Sequence, residues 1–206
     1  TIQLVPGIFE LQFMKGEVSG RHKELAGKFD AYFNARRDVA KDAEKSDYLD
    51  VHFARVIPIE ETIAGGSQVF SYEEARKYIE QADFITVSVC YCRHEHRLLD
   101  RGCEFPDDVC LQFGPFARFV AERGFGRQIK VAEALDIMKR SSEAGLIATA
   151  SNTQERIDFI CNCCTCCCGI LRSVTALGAP VETLASNFII QVEPELCTVC
   201  EVCVDR

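Results

Sequence analysis

The sequence predicts a mixed layered scaffold of the α/β or α+β class, with cysteine-rich loops that carry its chemistry. Two observations support this fold class. Apolar residues at helical spacing alternate along the chain with short β-rich segments, which is the pattern of helices layered against a sheet. In addition, residues 1–89 contain no cysteine, whereas six of the thirteen cysteines fall within residues 161–168. These patterns do not give the order of the strands.

Composition and charge narrow the class of protein. The chain has 206 residues, of which 48% are apolar and 26% charged, so it can bury a globular core. Its net charge of −8 argues against nucleic acid or an anionic membrane as the main partner of this segment. Apolar runs stay well below the length of about 18 residues that crosses a bilayer, and no signal peptide opens the chain. We therefore expect a cytoplasmic protein without a membrane span, and we interpret the start at Thr1 as a cut end.

Residues 1–83 are predicted to form a cysteine-free α/β scaffold. We expect an amphipathic helix from residue 19 to about residue 45 and a strand over residues 48–57 that ends before a proline. A short helix should follow the capping box of residues 71–74. The inward-facing apolar residues of the two helices are Leu25, Phe29 and Phe33 in the first, and Ala75, Tyr78, Ile79 and Ala82 in the second.

Residues 84–192 are predicted to form a cysteine-rich region. A buried strand over residues 84–89 leads the chain to Cys90. The next predicted helix ends near Gly145. Its inward face consists of Val131, Ala134, Leu135 and Met138. The remaining predicted elements are strands over residues 146–150 and 188–192 and a helix over residues 169–177.

The density of cysteines indicates metal chemistry rather than packing, because a core can replace cysteine with another small apolar residue. Thiolates are soft ligands that select zinc, copper(I) or iron–sulfur clusters. The odd number of cysteines argues against a disulfide scaffold, and adjacent cysteines would exchange partners readily in an oxidising compartment. We therefore expect reduced thiols in a reducing cytosol.

The first cysteine group has the spacing C-x-C-x10-C-x6-C. On an extended chain its first two members would project from the same face, about 6.6 Å apart. Four thiolates can fill either a 4Fe–4S cubane or one tetrahedral zinc site, but zinc ribbons usually space their pairs C-x2–4-C, so zinc is the less natural choice. The members of this group are Cys90, Cys92, Cys103 and Cys110.

Two histidines lie close to the first group. We interpret His94 and His96 as solvated residues of a charged loop rather than as metal ligands. The other members of this predicted loop are Arg93, Glu95 and Arg97. The spacing also differs from the C-x-x-C-H of covalent haem attachment, which excludes a c-type cytochrome.

The second group is a run of six cysteines. Three of them, at positions 161, 164 and 167, have the C-x2-C-x2-C spacing of a bacterial ferredoxin run, and an overlapping register leaves the ligand assignment open. If the run turns helically, its members divide between two faces. Six thiols exceed the need of one cubane, so they serve two centres, include structural thiols or hold a less common cluster. The members are Cys161, Cys163, Cys164, Cys166, Cys167 and Cys168.

The third group, Cys197, Cys200 and Cys203, repeats the C-x2-C-x2-C spacing. In the bacterial ferredoxin pattern a fourth cysteine follows three residues later. The sequence ends at that register, so we interpret residues 193–206 as the start of a truncated ferredoxin-type segment. The fourth ligand of this group is left open between Cys166, Cys168 and a residue beyond 206.

These motifs carry a family resemblance. The C-terminal motif resembles the start of a bacterial-type ferredoxin domain, and the larger arrangement resembles multi-cluster 4Fe–4S proteins of anaerobic bacteria and archaea. The resemblance covers residues 84–206 closely and the first 83 loosely. It implies redox-active 4Fe–4S centres and a role in anaerobic electron transfer. The matching positions are Cys90-Tyr-Cys-Arg93, Gly102-Cys103, Cys110, Cys161–Cys168 and Ser186-Asn-Phe188.

The leading hypothesis is an iron–sulfur protein that carries electrons between redox partner proteins on two or three 4Fe–4S clusters. Three cubanes would use all but one of the thirteen cysteines. One alternative is a subunit of an oxidoreductase with a substrate-binding or unusual cluster at Cys161–Cys168, and another is a zinc-binding or redox-sensing regulatory module. The sequence assigns no catalytic residue, and it leaves open an oligomer or a larger complex.

Overall fold

The computed structural model describes residues 10–42, 54–57, 75–151, 157–176, 192–201 and 204. These residues contain seven helices and six strands, so the prediction of a mixed α/β fold is confirmed. The elements in chain order are α1 (Glu10–Phe13), α2 (Gly20–Asp42), β1 (Ala54–Val56), α3 (Ala75–Gln81), β2 (Ile85–Val89), α4 (Tyr91–Leu98), β3 (Asp108–Phe113), α5 (Gly114–Glu122), β4 (Arg127–Ile129), α6 (Val131–Glu143), β5 (Ile147–Ser151), β6 (Phe159–Cys163) and α7 (Gly169–Thr175).

The six strands form one sheet in the order β1-β5-β6-β3-β2-β4, and each neighbouring pair is antiparallel. The two strands that carry cysteines, β3 and β6, are therefore neighbours at its centre. They pair through Leu111 with Ile160 and through Gln112 with Phe159. Continued by one residue, this register places Cys110 opposite Cys161.

One face of the sheet is apolar and carries the main core. Side chains alternate between the faces of a strand, so Leu111 and Ile160 lie on the same side. Helix α6 covers this side with the face that its sequence predicts, since Ala134 and Met138 are buried. Gly145 follows the helix with φ +81°, a conformation that favours glycine.

The opposite face of the sheet is polar, although it too is buried. Gln112 is the centre of a hydrogen-bond network on this face. Its Oε1 atom accepts a bond of 2.9 Å from Thr86, and its Nε2 atom donates to Ser88 Oγ at 2.9 Å and to the carbonyl oxygen of Cys110 at 3.1 Å. Cys161 and Cys163 share the face with Thr149, which pairs with Cys161. Thus the cysteines of the central strands adjoin buried polar groups.

A smaller apolar cluster attaches α2 to α4. Phe13, Ala26 and Leu98 are its buried members, and the predicted inward residues Leu25 and Phe29 pack against it. The predicted helix over residues 19–45 is confirmed by α2, while the side chain of the third predicted residue, Phe33, lies outside the described ones. None of the described helices is both long and apolar enough to cross a membrane.

Most other predicted elements are confirmed where the structure describes them. Helix α3 buries Ala75 and Ile79, and strands β2 and β5 coincide with the predicted β-rich segments. Strand β1 lies within the predicted strand over residues 48–57, and helix α7 ends at Thr175, before its predicted end at residue 177. The predicted positions that lie outside the described residues are 43–53, 71–74, 177 and 188–191.

Candidate metal centre

Two turns of the chain bring four thiols together. Cys103 lies in the loop between α4 and β3, and the other three follow β6 in a tight turn. The Sγ atoms of all four lie within 4.8 Å of one another. Cys167 is 3.7 Å from Cys103 and 3.8 Å from Cys166, while Cys103 is 4.0 Å from Cys164. These residues, called the four-cysteine group below, can hold a metal ion or a cluster.

The donor set and its spacing test which centre fits. Four thiolates around one tetrahedral zinc, with Zn–S bonds of about 2.3 Å, stand about 3.8 Å apart. The shortest separations in the group, 3.7 and 3.8 Å, match this value. In a cubane each thiolate binds a different iron, so the thiolates stand further apart. The all-thiol donor set suits both centres, whereas a cubane requires the sulfur atoms to stand further apart than they do here.

The grouping of cysteines by sequence is wrong for Cys103. That prediction placed Cys103 with Cys90, Cys92 and Cys110, whereas the structure places it with cysteines of the second group. The premise of an extended chain between Cys90 and Cys92 is also wrong. Cys90 caps the N-terminus of α4 and Cys92 lies in its first turn. The chain enters helix α4 directly after β2. The loop that follows α4 then places Cys103 beside the cysteines of the second group instead of beside Cys90 and Cys110.

The other six cysteines of the first two groups lie near one another. Cys90 and Cys110 belong to the main core cluster, against which Cys92 and Cys161 pack. Cys161 also packs against a second buried cluster, which contains Cys163 and Cys168. This set is called the six-thiol ring below. Its members are Cys90, Cys92, Cys110, Cys161, Cys163 and Cys168.

The run of residues 161–168 does not turn helically as one unit. Cys161 and Cys163 belong to β6, residues 165–167 form a turn, and Cys168 caps α7. The change from strand to turn after Cys163 sends the chain's thiols to two places, and this explains why a single run serves both groups. In the third group, Cys197 and Cys200 are exposed, and Cys203 lies outside the described residues.

The predicted charged loop after Cys92 is wrong as well. Its residues form helix α4, and Arg93, His94, Glu95 and His96 are only 0%, 3%, 4% and 7% exposed. Their charges mislead because most such residues are solvated. Apolar residues at helical spacing, Tyr91 and Leu98, are a signal that would have indicated a packed helix.

Arg93 lies between the two thiol groups. Its Nη1 atom donates to the carbonyl oxygen of Asn162 at 3.1 Å, and its Nε atom is 3.8 Å from Asp107 Oδ1. Burial acts to lower the pKa of Arg93. The negative charge at Cys90 and the neighbouring Cys164 outweigh this effect, so the pKa of Arg93 is raised. Sequence analysis placed this residue in a solvated loop, whereas it is a buried cation beside thiols of both groups.

The thiols within the four-cysteine group differ in acidity. Contact with Cys167, together with contacts from Cys166 and Arg93, lowers the pKa of Cys164 to about 4. Burial, and then contact with Cys164, raises the pKa of Cys166 to about 11. The pKa of Cys167 is also raised, chiefly by its contact with Cys164. At neutral pH one thiolate therefore stands beside protonated thiols and provides a ready first ligand.

A pocket opens beside both thiol groups, since Cys92 and Cys167 both line it. His96 forms part of its wall and contacts Arg172 through Nε2 at 2.7 Å and Glu95 through Nδ1 at 2.7 Å. Arginine can only donate, so Nε2 accepts this bond and Nδ1 carries a hydrogen, which it donates to the carbonyl oxygen of Cys92 at 3.0 Å. The second carboxylate oxygen of Glu95 is buried without a hydrogen-bond partner among the described residues.

Comparison of the chain with protein-family models, with curated proteins and with solved structures finds no match.

Proposed function

We propose that this chain is a cytoplasmic iron–sulfur protein that carries electrons between redox partner proteins on two or three 4Fe–4S clusters. One observation carries the proposal. Ten cysteines from two regions of the chain converge on two neighbouring thiol groups, and a fully buried arginine lies beside both. Such a concentration of soft ligands in a protein core has no equivalent role in packing.

The residues around the thiols suit an electron carrier. The core cluster that includes Cys110, Cys164 and Cys167 excludes water from one side of the thiol groups. Cys168 directly precedes α7, so the amides of Ile170 and Leu171 at the start of that helix lie near it. Hydrogen bonds to cysteine sulfur, burial and nearby charge are the means by which proteins set cluster potentials. The clusters, when bound, supply one-electron transfer, and the chain holds and insulates them.

The exposed C-terminal thiols suit a third centre close to a partner protein. Cys197 and Cys200 are exposed, and their spacing with Cys203 follows the ferredoxin pattern. Electron exchange between proteins needs a centre near the surface, whereas the other two thiol groups are largely buried. In this proposal the C-terminal segment passes electrons to or from the partner.

A zinc module is the second candidate, because of the spacing in the four-cysteine group. The separations of 3.7–4.0 Å between sulfur atoms match those around one tetrahedral ion. Such a site would be structural or redox-sensing, and it would account for four of the thirteen cysteines. The remaining buried thiols favour the iron–sulfur proposal.

A subunit of an oxidoreductase is the third candidate, because of the pocket beside both thiol groups. Cys92, Cys167 and Glu95 line it, and one carboxylate oxygen of Glu95 is buried without a hydrogen-bond partner among the described residues. A small molecule bound there would lie next to any centre that the thiols hold. In this case the magnetic spectrum of the reduced protein would change when a substrate is added.

Metal and sulfide analysis of anaerobically purified protein tests the proposal. We expect several irons and a similar amount of acid-labile sulfide per chain, and an electron paramagnetic resonance signal that develops on reduction with dithionite. A folded protein that holds stoichiometric zinc, with neither iron nor sulfide after anaerobic reconstitution, would support the zinc module instead. Circular dichroism of the same sample shows whether the chain is folded.

A further inference from the structure

We propose that the six-thiol ring is a second metal–sulfur site, separate from the four-cysteine group, and that it holds an iron–sulfur centre of its own. This inference rests on the proposed function, because it requires that thiols of this chain bind iron. It goes further by dividing the ten cysteines of the first two sequence groups differently from their order in the sequence. Cys103 leaves the first group, and three cysteines of the second group join the other members of the first.

The sheet supplies half of the ring. Strands β3 and β6 are neighbours, and their register places Cys110 opposite Cys161. Cys163 lies two residues further along β6 and therefore projects from the same face. Three thiols thus converge at the centre of the sheet through strand pairing alone.

The starts of two helices supply the other half. The amide of Cys90 bonds to the carbonyl oxygen of Asp107 at 2.8 Å, which holds the N-terminus of α4 against the start of β3. Cys92 lies one turn into α4, and Cys168 caps α7. Cys168 shares a buried cluster with Cys163, and helices α4 and α7 adjoin where His96 Nε2 accepts a hydrogen bond of 2.7 Å from Arg172.

The ring is buried, and polar groups adjoin it. Cys90, Cys110, Cys163 and Cys168 are at most 7% exposed. Thr149 Oγ1 lies 3.3 Å from Cys163 Sγ, and Gln112 Nε2 donates to the carbonyl oxygen of Cys110. Buried polar groups that hold ligand residues in place are typical of the surroundings of a metal site. Apolar packing alone would require neither six adjacent thiols nor these polar groups.

Arg93 provides an independent reason for two anionic centres. The side chain is fully buried, and its Nε and Nη2 atoms have no hydrogen-bond partner in the described part of the chain. Cys164 of the four-cysteine group lies on one side of it, and Cys90 and Cys110 of the ring lie close by as well. Among the described residues Arg93 has one ion pair, with Asp107 Oδ1 at 3.8 Å from Nε, and the negative charge of thiolate-bound clusters on both sides would compensate this buried cation further.

The test counts iron and sulfide in a chain from which the C-terminal thiols have been removed. The parent for this test is C197S/C200S/C203S, reconstituted anaerobically with ferrous iron and sulfide. The ring variant adds C92S/C110S/C163S. It removes three of the six ring thiols and leaves too few for a cubane. The matched variant adds C103S/C166S, which removes half of the four-cysteine group instead.

We expect the parent to bind about eight irons, as two cubanes would, and each variant to lose roughly half of them. The two variants should retain different magnetic spectra whose sum reproduces that of the parent. A parent with only about four irons, all of them lost in C103S/C166S, would overturn the second site while leaving the proposed function intact. A folded parent without any iron would overturn both. If the ring variant does not fold, as judged by circular dichroism, the iron content of the parent still decides the matter.

Discussion

The Nη1 atom of Arg93 donates a hydrogen bond of 3.1 Å to the main-chain oxygen of Asn162, and this bond fixes a buried guanidinium beside both thiol groups. Asn162 lies between the two ring cysteines of β6, and Arg93 directly follows Cys92 in α4. The bond therefore joins the helix to a central strand at the level of the thiols. Because a buried charge is unfavourable without opposite charge nearby, the arrangement suits an anionic centre on each side.

Arg93→Met should lower the reduction potential of the proposed iron–sulfur centres. The reduced centre carries one more negative charge than the oxidised centre, so a nearby cation stabilises the reduced state more. At a separation of about 6 Å and an effective dielectric constant of about 20, this effect is roughly 3 kcal/mol, or on the order of 100 mV for one electron. A potentiometric titration followed by electron paramagnetic resonance measures the shift.

Two variants control for the change in charge. Arg93→Lys keeps a cation at the site and should shift the potential much less than Arg93→Met. Arg118→Met removes an exposed cation that pairs with Asp83 at 3.0 Å, and solvent screens its charge. If Arg93→Met and Arg118→Met shift the potential equally, Arg93 has no specific effect on the centres.

The sequence allows prediction of elements that depend on local periodicity. Helix α6 and strands β2 and β5 are examples, because their apolar patterns match the core that they face. Helix α4 could not be predicted in this way. Its five consecutive charged or imidazole residues, 93–97, have the composition of a solvated loop, yet tertiary packing buries the first four of them and leaves Arg97 exposed.

The assignment of cysteines to sites is not a property of sequence spacing. Neighbours such as Cys163 and Cys164 belong to different groups, because β6 ends between them and the chain turns away. Cys103 and Cys164 are distant in sequence, yet their sulfur atoms are 4.0 Å apart. Such contacts depend on strand order and on the path of a loop, and neither is encoded in a local pattern. The residue types alone predict metal chemistry. Which cysteines lie together can be identified only from the fold.

Asn162→Leu should destabilise the metal-free protein by about 1–3 kcal/mol, because it leaves a buried carbonyl group without its donor. Asn162 is fully buried, and its Nδ2 atom donates to the carbonyl oxygen of Val109 at 2.8 Å. This bond links β6 to β3 beyond the last ladder pair, next to the ring. Urea unfolding of the apo form under reducing conditions measures the free energy of unfolding.

A surface asparagine provides the matched control for this prediction. Asn34 donates to Asp30 one helical turn away at 3.1 Å, and Asn34→Leu should change stability by less than about 0.5 kcal/mol. Equal losses in the two variants would show that the Asn162 side chain does not bridge the strands.

Gly126→Ala should destabilise the fold by about 1–3 kcal/mol, because there is no room for a methyl group. A Cβ atom at this position would lie 2.5 Å from the carbonyl oxygen of Val87 and 2.9 Å from Val120 Cγ1. The first of these atoms belongs to the backbone of β2 and cannot move away without disturbing the strand that leads to Cys90. Thermal unfolding followed by circular dichroism measures the effect.

The control substitution is Gly27→Ala, within α2. A Cβ atom there would meet no other atom within 4 Å, and alanine is the better helix former by about 0.5–1 kcal/mol. We therefore expect Gly27→Ala to raise the melting temperature while Gly126→Ala lowers it. Destabilisation by both substitutions would indicate an effect of alanine that does not depend on the available space.

Metal binding by the four-cysteine group should strengthen as the pH rises. Metal ligands must be thiolates, and the raised pKa values of Cys166, about 11, and of Cys167 keep these thiols protonated near neutral pH. Binding then releases at least these two protons, and each proton released tightens binding about tenfold per pH unit. The pKa of Cys164, about 4, keeps it a thiolate throughout this range, so it releases none. Titration of the apo chain with cobalt(II) between about pH 6 and pH 8 should show the dependence.

Serine variants separate the protonated ligand from the ionised one. Cys166→Ser removes a thiol that loses its proton on binding, so the slope of log affinity against pH should fall by about one. Cys164→Ser removes a ligand that is already a thiolate, so binding should weaken while the slope stays close to that of the unmodified chain. Equal slopes in the unmodified chain and in Cys166→Ser would show that Cys166 does not lose a proton when the metal binds, and would place the ion elsewhere.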